Sequence, residues 1–118
     1  MISNMAMKDE INKKRKEDYT MKEITAEQVK LVVSQGKSIN ILDVREVDEV
    51  ASGKISGAVN IPLGLIESRM NELDKSKEYI MVCRSGARSS RATKFLDTQG
   101  FNVMNMTGGM LSWEGNVV

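Results

Sequence analysis

The chain has 118 residues but no histidine, one cysteine and one proline, and aromatic residues make up only 4% of it. A single cysteine excludes an intramolecular disulfide, a redox-active cysteine pair and a zinc site built on several thiolates. Without histidine, neither a Cys-His nor a Ser-His hydrolase would have its general base. The same absence removes nearly every zinc or iron site that uses imidazole ligands. We therefore expect no metal site.

Long apolar segments and an excess of one charge are also missing. No segment approaches the ~20 apolar residues of a transmembrane helix, and the early charges that begin at Lys8 are unlike a secretory signal. The net charge is +1, from 17 basic and 16 acidic residues. This balance argues against a nucleic-acid or membrane surface spread over the molecule. We therefore expect a cytoplasmic protein that binds neither nucleic acid nor membranes.

The composition predicts one folded domain that follows a polar extension. Hydrophobic residues make up 41% of the chain and charged residues 28%, enough for a buried core. Residues 1–20 differ, because nearly every residue from Lys8 to Asp18 is charged or polar. We expect residues 1–20 to be a flexible N-terminal extension, with a small basic docking arm as the alternative. Residues 21–118 are expected to form the domain.

From Thr25 onward the pattern predicts strands that alternate with helices. Thr25 and Gln28 are placed as a capping box for a first helix, which Gly36 ends. Buried strands are predicted over residues 39–44, 58–63, 79–83 and 101–106, and further helices over residues 65–73 and 89–100. Such alternation over short connections predicts an α/β fold with a parallel sheet. Ligands of these sheets bind beyond the carboxyl ends of the strands.

The only cysteine lies at such a strand end, in the segment CRSGARS (83–89). A strand that enters a helix through a short turn points backbone N–H groups inward and forms an anion-binding nest. The helix N-terminus adds partial positive charge there, and Gly86 permits the unusual backbone angles of the turn. Such surroundings lower a cysteine pKa from about 8.5 to roughly 3.5–7.5. We therefore predict that Cys83 is a reactive thiolate rather than a buried structural thiol.

The helix that follows Cys83 carries positive charge where helices usually carry negative charge. Arg88, Arg91 and Lys94 fall in its first turns, although Asp or Glu would stabilise a helix N-terminus better. Local rules are broken most often at functional sites. The pattern therefore predicts that this charge holds anions, namely the thiolate and an anionic ligand.

Four segments together resemble the rhodanese homology domain in its small, single-domain form. They are LDVRE (42–46), GKISGAVNIPL (53–63), CRSGARS (83–89) and GGMLSW (108–113). They follow the family's order, and the similarity covers residues 22–118. The resemblance implies a five-stranded parallel sheet flanked by helices on both faces. Lys54 and Ser56 stand where the family often has His and Pro, which leaves the geometry of that turn open.

The resemblance also implies roles for individual residues. Cys83 would be the nucleophile that carries sulfane sulfur as a persulfide. Arg84 and Arg88 would bind the oxyanion of the donor, and backbone amides of the loop would surround the outer sulfur. Asp43 and Arg45 would brace the loop, with an ordinary salt-bridged strand end as the alternative. The implied substrate-binding set is Arg84, Ser85, Gly86, Ala87, Arg88 and Ser89.

The implied activity is that of a thiosulfate sulfurtransferase. Thiosulfate or a related donor would give sulfur to Cys83, and cyanide or a thiol would accept it, with no metal or organic cofactor. One alternative is a persulfide carrier that delivers sulfur to a partner protein. Cysteine phosphatases and arsenate reductases are further alternatives. Phosphatase loops have five residues between Cys and Arg, whereas Arg84–Ala87 make four here, and the tighter loop favours sulfur over phosphate.

Overall fold

Five short strands lie in one sheet, and every pairing between them is parallel. The computed structural model describes residues 20–118, so the extension expected over residues 1–20 lies outside the described residues except for Thr20. In chain order the strands are β1 (Glu23–Thr25), β2 (Asn40–Asp43), β3 (Val59–Asn60), β4 (Glu78–Val82) and β5 (Asn102–Thr107). Their order across the sheet is β1-β5-β4-β2-β3. The predicted five-stranded parallel sheet is confirmed.

Helices connect the strands over the described part of the chain. The α-helices are α1 (Ala26–Ser34), α2 (Val47–Ala51), α3 (Ile66–Arg69) and α4 (Ala87–Thr98), and 3-10 turns span Leu63–Leu65, Met70–Glu72 and Gly109–Ser112. The capping box of α1 is confirmed, because the Gln28 N–H donates to Thr25 Oγ1 over 3.0 Å and the Thr25 N–H donates to Gln28 Oε1 over 2.9 Å. Within residues 20–118, none of the helices has the length and apolar character needed to cross a membrane.

The core has two parts, one on each face of the sheet. Successive strand residues point to opposite faces, so Met81 packs on one face with Leu96 of α4. Its neighbour Ile80 packs on the other face with Val29 of α1. Both faces are therefore covered, which explains why β4 is apolar along its inner residues.

Two elements differ from the predicted pattern in length. The strand predicted over residues 58–63 is shorter in the structure and spans only Val59–Asn60. The chain still follows β2 beyond that point, since the Ile61 N–H donates to the Asp43 carbonyl over 3.0 Å. The helix predicted over residues 65–73 is an α-helix only over Ile66–Arg69, and its flanks are 3-10 turns.

Two further elements were not predicted at all. Strand β1 has three residues, too few for a period-two pattern, and it forms only by pairing with β5 at the sheet edge. Helix α2 has only five residues and none of them is buried, so its sequence has no apolar face that would predict a helix. Helix α2 matters for the site, because it follows the end of β2 and its Glu49 meets Arg88 at the start of α4.

Candidate active site

Cys83 lies directly after β4, at the edge of the sheet where the strands have their carboxyl ends. Its Sγ accepts a hydrogen bond from the Gly86 N–H over 3.0 Å and lies 3.2 Å from the Ser89 hydroxyl oxygen. Gly86 has a φ of +104°, which residues with a side chain rarely adopt, and this angle turns its N–H toward the sulfur. The predicted succession of strand, nest and helix start is therefore present. Residues 83–88, here called the active loop, follow β4 and include the start of α4.

The surroundings of Cys83 favour its thiolate form. Burial raises the pKa of the thiol, because it disfavours the charged form. Hydrogen bonds from the Ser89 hydroxyl and from the backbone amides of Ser89, Gly86 and Ser85 act in the opposite direction. Together they outweigh burial and hold the pKa of Cys83 below its ordinary value.

A buried polar residue that sequence reasoning missed lies behind the active loop. Asn105 of β5 is 4% exposed, and its Oδ1 lies 2.5 Å from the Ser89 hydroxyl oxygen. Its Nδ2 donates to the Gly86 carbonyl over 3.4 Å. The only signal in the sequence was an amide between two methionines in the predicted strand. Asn105 thereby reaches two of the residues that bind the sulfur.

The two arginines of the active loop have different surroundings. Arg88 donates through both terminal nitrogens to the carboxylate of Glu49 in α2, over 2.6 and 2.7 Å. Arg84 is exposed and forms no ion pair within the described residues. Binding of a donor oxyanion by either arginine stays a prediction. Glu49 was missed because α2 itself was not predicted.

Glu49 is strongly acidic as a result of this pairing. The hydrogen bond from Arg88 is the largest cause, and the Glu46 N–H adds to it, so the pKa of Glu49 falls from 4.5 to about 2. The carboxylate therefore stays ionised over the whole physiological range, and the ion pair fixes the first turn of α4 to α2. Among residues 20–118, no group of acidic or cysteine side chains is arranged to hold a metal ion.

Asp43 and Arg45 form a buried ion pair at the end of β2. Arg45 Nη2 lies 2.7 Å from Asp43 Oδ2, and both side chains are almost inaccessible to solvent. Arg45 also donates to the carbonyls of Gly53 over 2.9 Å and of Glu49 over 3.3 Å. The pair thus holds the backbone of α2, whose Glu49 carboxylate holds Arg88. Support of the active loop by Asp43 and Arg45 stays a prediction. They would act on the loop through α2, whose Glu49 binds Arg88.

The turn after β5 forms the back wall of the active loop. The Met110 N–H donates to the Cys83 carbonyl over 2.8 Å, and the Leu111 N–H donates to the Arg84 carbonyl over 2.9 Å. Gly109 has a φ of +58°, and a Cβ built on it would lie 2.5 Å from backbone atoms of Cys83 and Arg84. Gly109, the second glycine of the GGMLSW segment, therefore allows the backbone of this turn to touch the backbone of the active loop.

Replacing Glu49 with glutamine should loosen this attachment of α4 to α2. Because the pair is partly exposed, we expect Glu49→Gln to lower the free energy of unfolding by about 0.5–1 kcal/mol at pH 7. The folded pKa of Glu49 is depressed, so its stabilising effect is present above pH 4.5 and is lost as the pH falls toward about 2. Urea unfolding at several pH values should therefore show the difference between wild type and variant shrinking over that window. A constant difference would contradict an ion-pair origin.

Comparisons with known proteins agree with this fold. The rhodanese-like domain family matches residues 25–116. A Bacillus subtilis protein named "Putative sulfurtransferase YtwF" is 46% identical over 95 residues, which cover 80% of this chain and 92% of that protein. "Putative sulfur carrier protein YrkF" from the same organism is 45% identical over 94 residues, which cover 79% of this chain and 51% of that protein.

A solved structure is similar over the same region. The crystal structure of a rhodanese-like domain protein from Staphylococcus aureus has a TM-score of 0.77 to this chain at 34% sequence identity. The superposition covers 81% of this chain and 94% of that one. Because the family model matches residues 25–116, most of its length, this chain belongs to the rhodanese-like domain family.

Proposed function

We propose that this chain transfers sulfane sulfur from thiosulfate or a related donor to a thiophilic acceptor through a persulfide on Cys83. The observation that carries the proposal is the convergence of the Gly86 N–H and the Ser89 hydroxyl on Sγ of Cys83. Donors in this position stabilise the anionic sulfur of the thiolate, both before loading and when Sγ departs as a thiolate in the return step. The similarity to YtwF, which is named a putative sulfurtransferase, supports the same chemistry.

The first half-reaction loads sulfur onto the enzyme. The thiolate of Cys83 attacks the outer sulfur of thiosulfate, so a bond forms between Sγ and that sulfur while the sulfur–sulfur bond of the donor breaks. The electron pair of the broken bond leaves with sulfite, and the negative charge of the thiolate passes to the outer sulfur of the persulfide. Because Cys83 is fully buried, the donor must enter through the exposed rim of the active loop, which includes Arg84, Ser85 and Ala87.

The charged groups near this rim suit an anionic donor. Arg84 is exposed and has no carboxylate partner among the described residues, so its guanidinium group can meet the sulfonate oxygens. Arg88 contributes a second positive group, although Glu49 already offsets its charge. Binding of the donor oxyanion should therefore depend more on Arg84 than on Arg88.

The second half-reaction returns the enzyme to its starting state. A nucleophile such as cyanide or a thiolate attacks the outer sulfur, the bond between the two sulfurs breaks, and its electron pair stays on Sγ as the thiolate. Cyanide leaves as thiocyanate, and a thiolate leaves as a persulfide. Stabilisation of the departing thiolate by Gly86 and Ser89 assists this step. Neither half-reaction uses a metal or an organic cofactor.

Intact-mass spectrometry after exposure to thiosulfate tests the proposal. We expect the wild type to gain about 32 Da, one sulfur atom, and to lose it on addition of cyanide with formation of thiocyanate. Cys83→Ser should gain nothing, because Cys83 is the only cysteine in the chain. A wild-type protein that gains no mass, although its thiol reacts with an alkylating reagent, would rule out thiosulfate as donor. Hydrolysis of an aryl phosphate would instead favour the phosphatase alternative.

A persulfide carrier is the second candidate function. The similarity to YrkF, which is named a sulfur carrier protein, favours it specifically. A carrier and an enzyme share the loading step but differ in turnover. In a stopped-flow assay with thiosulfate and cyanide, an enzyme continues to produce thiocyanate after the first equivalent. A carrier gains one sulfur from thiosulfate just as quickly but forms thiocyanate very slowly, and it loses that sulfur quickly only when a partner protein that accepts it is added.

A further inference from the structure

The Ser89 hydroxyl lies at the centre of a buried polar cluster behind Cys83. Its oxygen is 3.2 Å from Cys83 Sγ, 3.2 Å from the Gly86 carbonyl oxygen and 2.5 Å from Asn105 Oδ1. Ser89 is completely buried and Asn105 nearly so, which leaves no bulk water to compete. A hydroxyl carries a single proton and can donate it in one direction at a time. Three acceptors therefore share one donor.

Asn105 is the acceptor closest to this hydroxyl, and its carboxamide can act in two ways. With Oδ1 toward Ser89, the serine proton is bound by Asn105 and a lone pair of the hydroxyl faces Sγ. With the carboxamide turned over, Nδ2 donates to the serine oxygen and the serine proton points to Sγ. The first arrangement suits a protonated thiol, which donates, and the second suits an anionic sulfur, which accepts.

The position of Ser89 itself does not depend on Asn105. Ser89 belongs to the first turns of α4, and the Thr93 hydroxyl donates to its backbone carbonyl over 2.6 Å. Its own hydroxyl can therefore change direction without any movement of the helix. Asn105 is fixed from the opposite side, since β5 pairs with β4 through Asn105 and Met81. The two polar side chains thus meet between a rigid strand and a rigid helix.

We propose that Asn105 is a positioning residue that directs the Ser89 proton toward Cys83 when the sulfur is an anion and away from it when the sulfur is a thiol. This inference deepens the proposed sulfur transfer and rests on it for the persulfide step. The thiolate step stands alone, because it needs no sulfur donor. Asn105 touches no substrate in this account and acts only through Ser89.

The test compares Asn105→Asp with wild type by ultraviolet titration of the Cys83 thiolate. A carboxylate accepts hydrogen bonds but cannot donate them, so the introduced carboxylate would retain the Ser89 proton permanently. We expect the acid dissociation constant of the thiol to fall about tenfold, the effect of one hydrogen bond to a charged group. The thiolate part of the signal reports Cys83 alone, because the chain contains one cysteine. An unchanged dissociation constant would overturn the proposal.

A double-mutant comparison separates positioning from the new negative charge. In a Ser89→Ala background, Asn105→Asp should change the dissociation constant of the thiol much less than it does in wild type, because no hydroxyl remains to be directed. An equal change in both backgrounds would mean that charge alone acts, and would overturn the proposal. Asn102→Asp adds the same charge at the exposed start of β5 and should have little effect.

Asn105→Leu serves as a second variant if the buried aspartate prevents folding. Leucine has a similar size but neither donates nor accepts, so Ser89 would divide its proton between Sγ and the Gly86 carbonyl. We expect a smaller decrease of the dissociation constant, and again only when Ser89 is present. A wild-type chain that loads no sulfur, although the variants alter the titration as expected, would refute sulfur transfer alone. An unaltered titration in a chain that loads sulfur would refute the role of Asn105.

Discussion

Replacing Gly109 with alanine is expected to destabilise the fold by about 2–5 kcal/mol and to abolish most sulfur loading. Two costs add up. A residue with a side chain must adopt the left-handed angle of +58°, and its Cβ would lie 2.5 Å from the backbone of Cys83 and Arg84. Backbone atoms cannot rotate away as a flexible side chain could. The active loop or the turn must therefore move, and the hydrogen bond from Met110 to the Cys83 carbonyl would be strained or lost.

A second glycine provides the matched control for this experiment. Gly36 also has a left-handed φ, +71°, but a Cβ there would meet nothing within 4 Å. Gly36→Ala should therefore show the cost of the backbone angle alone, about 1–2 kcal/mol, with normal sulfur loading. Urea unfolding and intact-mass analysis of both variants would measure the difference. Equal effects of the two substitutions would show that the turn around Gly109 adjusts its backbone at little cost, and would contradict the prediction.

Replacing Arg45 with methionine should cost about 3–5 kcal/mol, the usual effect of leaving a buried charge without its partner. Asp43 is 1% exposed, and the Arg45 guanidinium group donates to both oxygens of its carboxylate. The carbonyls of Glu49 and Gly53 would lose a donor as well. Because Arg45 holds α2 and α2 holds Arg88, slower sulfur loading should accompany the loss of stability.

The exposed pair Arg69–Glu72 is the matched control, since it has the same kind of double contact between arginine and carboxylate. Its side chains are 38% and 49% exposed, so Arg69→Met should cost far less stability than Arg45→Met. Urea unfolding at neutral pH measures both variants. The double variant Asp43→Asn with Arg45→Met should be more stable than the sum of its single effects predicts, because no unpaired charge remains buried. A small effect of Arg45→Met alone would show that Asp43 finds another partner.

Elements with a strong local signal could be predicted from the sequence. The capping box of α1 joins residues three apart, and the strand before Cys83 is apolar enough to be identified without a partner. Helix α4 begins at Ala87, two residues before the predicted start, because Gly86 already ends the turn. Short elements could not be predicted in this way, because β1 exists only through its pairing with β5 and α2 buries none of its residues.

The functional groups of the site divide in the same way. The sequence alone placed Cys83 in a nest at a helix start and removed histidine and disulfide chemistry, because local geometry and composition need no tertiary contact. It left the partners of that nest undetermined. Glu49 meets Arg88 across 39 residues, and Asn105 meets Ser89 across 16.

Only the tertiary structure decided these partners, and the physical reason is the order of the strands. Strand β4 lies between β2 and β5, so the segments that follow those two strands reach the active loop from either side. The segment after β2 brings Glu49 to Arg88, and the turn after β5 brings Gly109 against Cys83. Residue periodicity records which side of a strand is buried, but not which strand lies beside it. The sequence therefore identified Cys83 and the loop that surrounds it. The packing of the sheet decided which residues from other segments contact that loop.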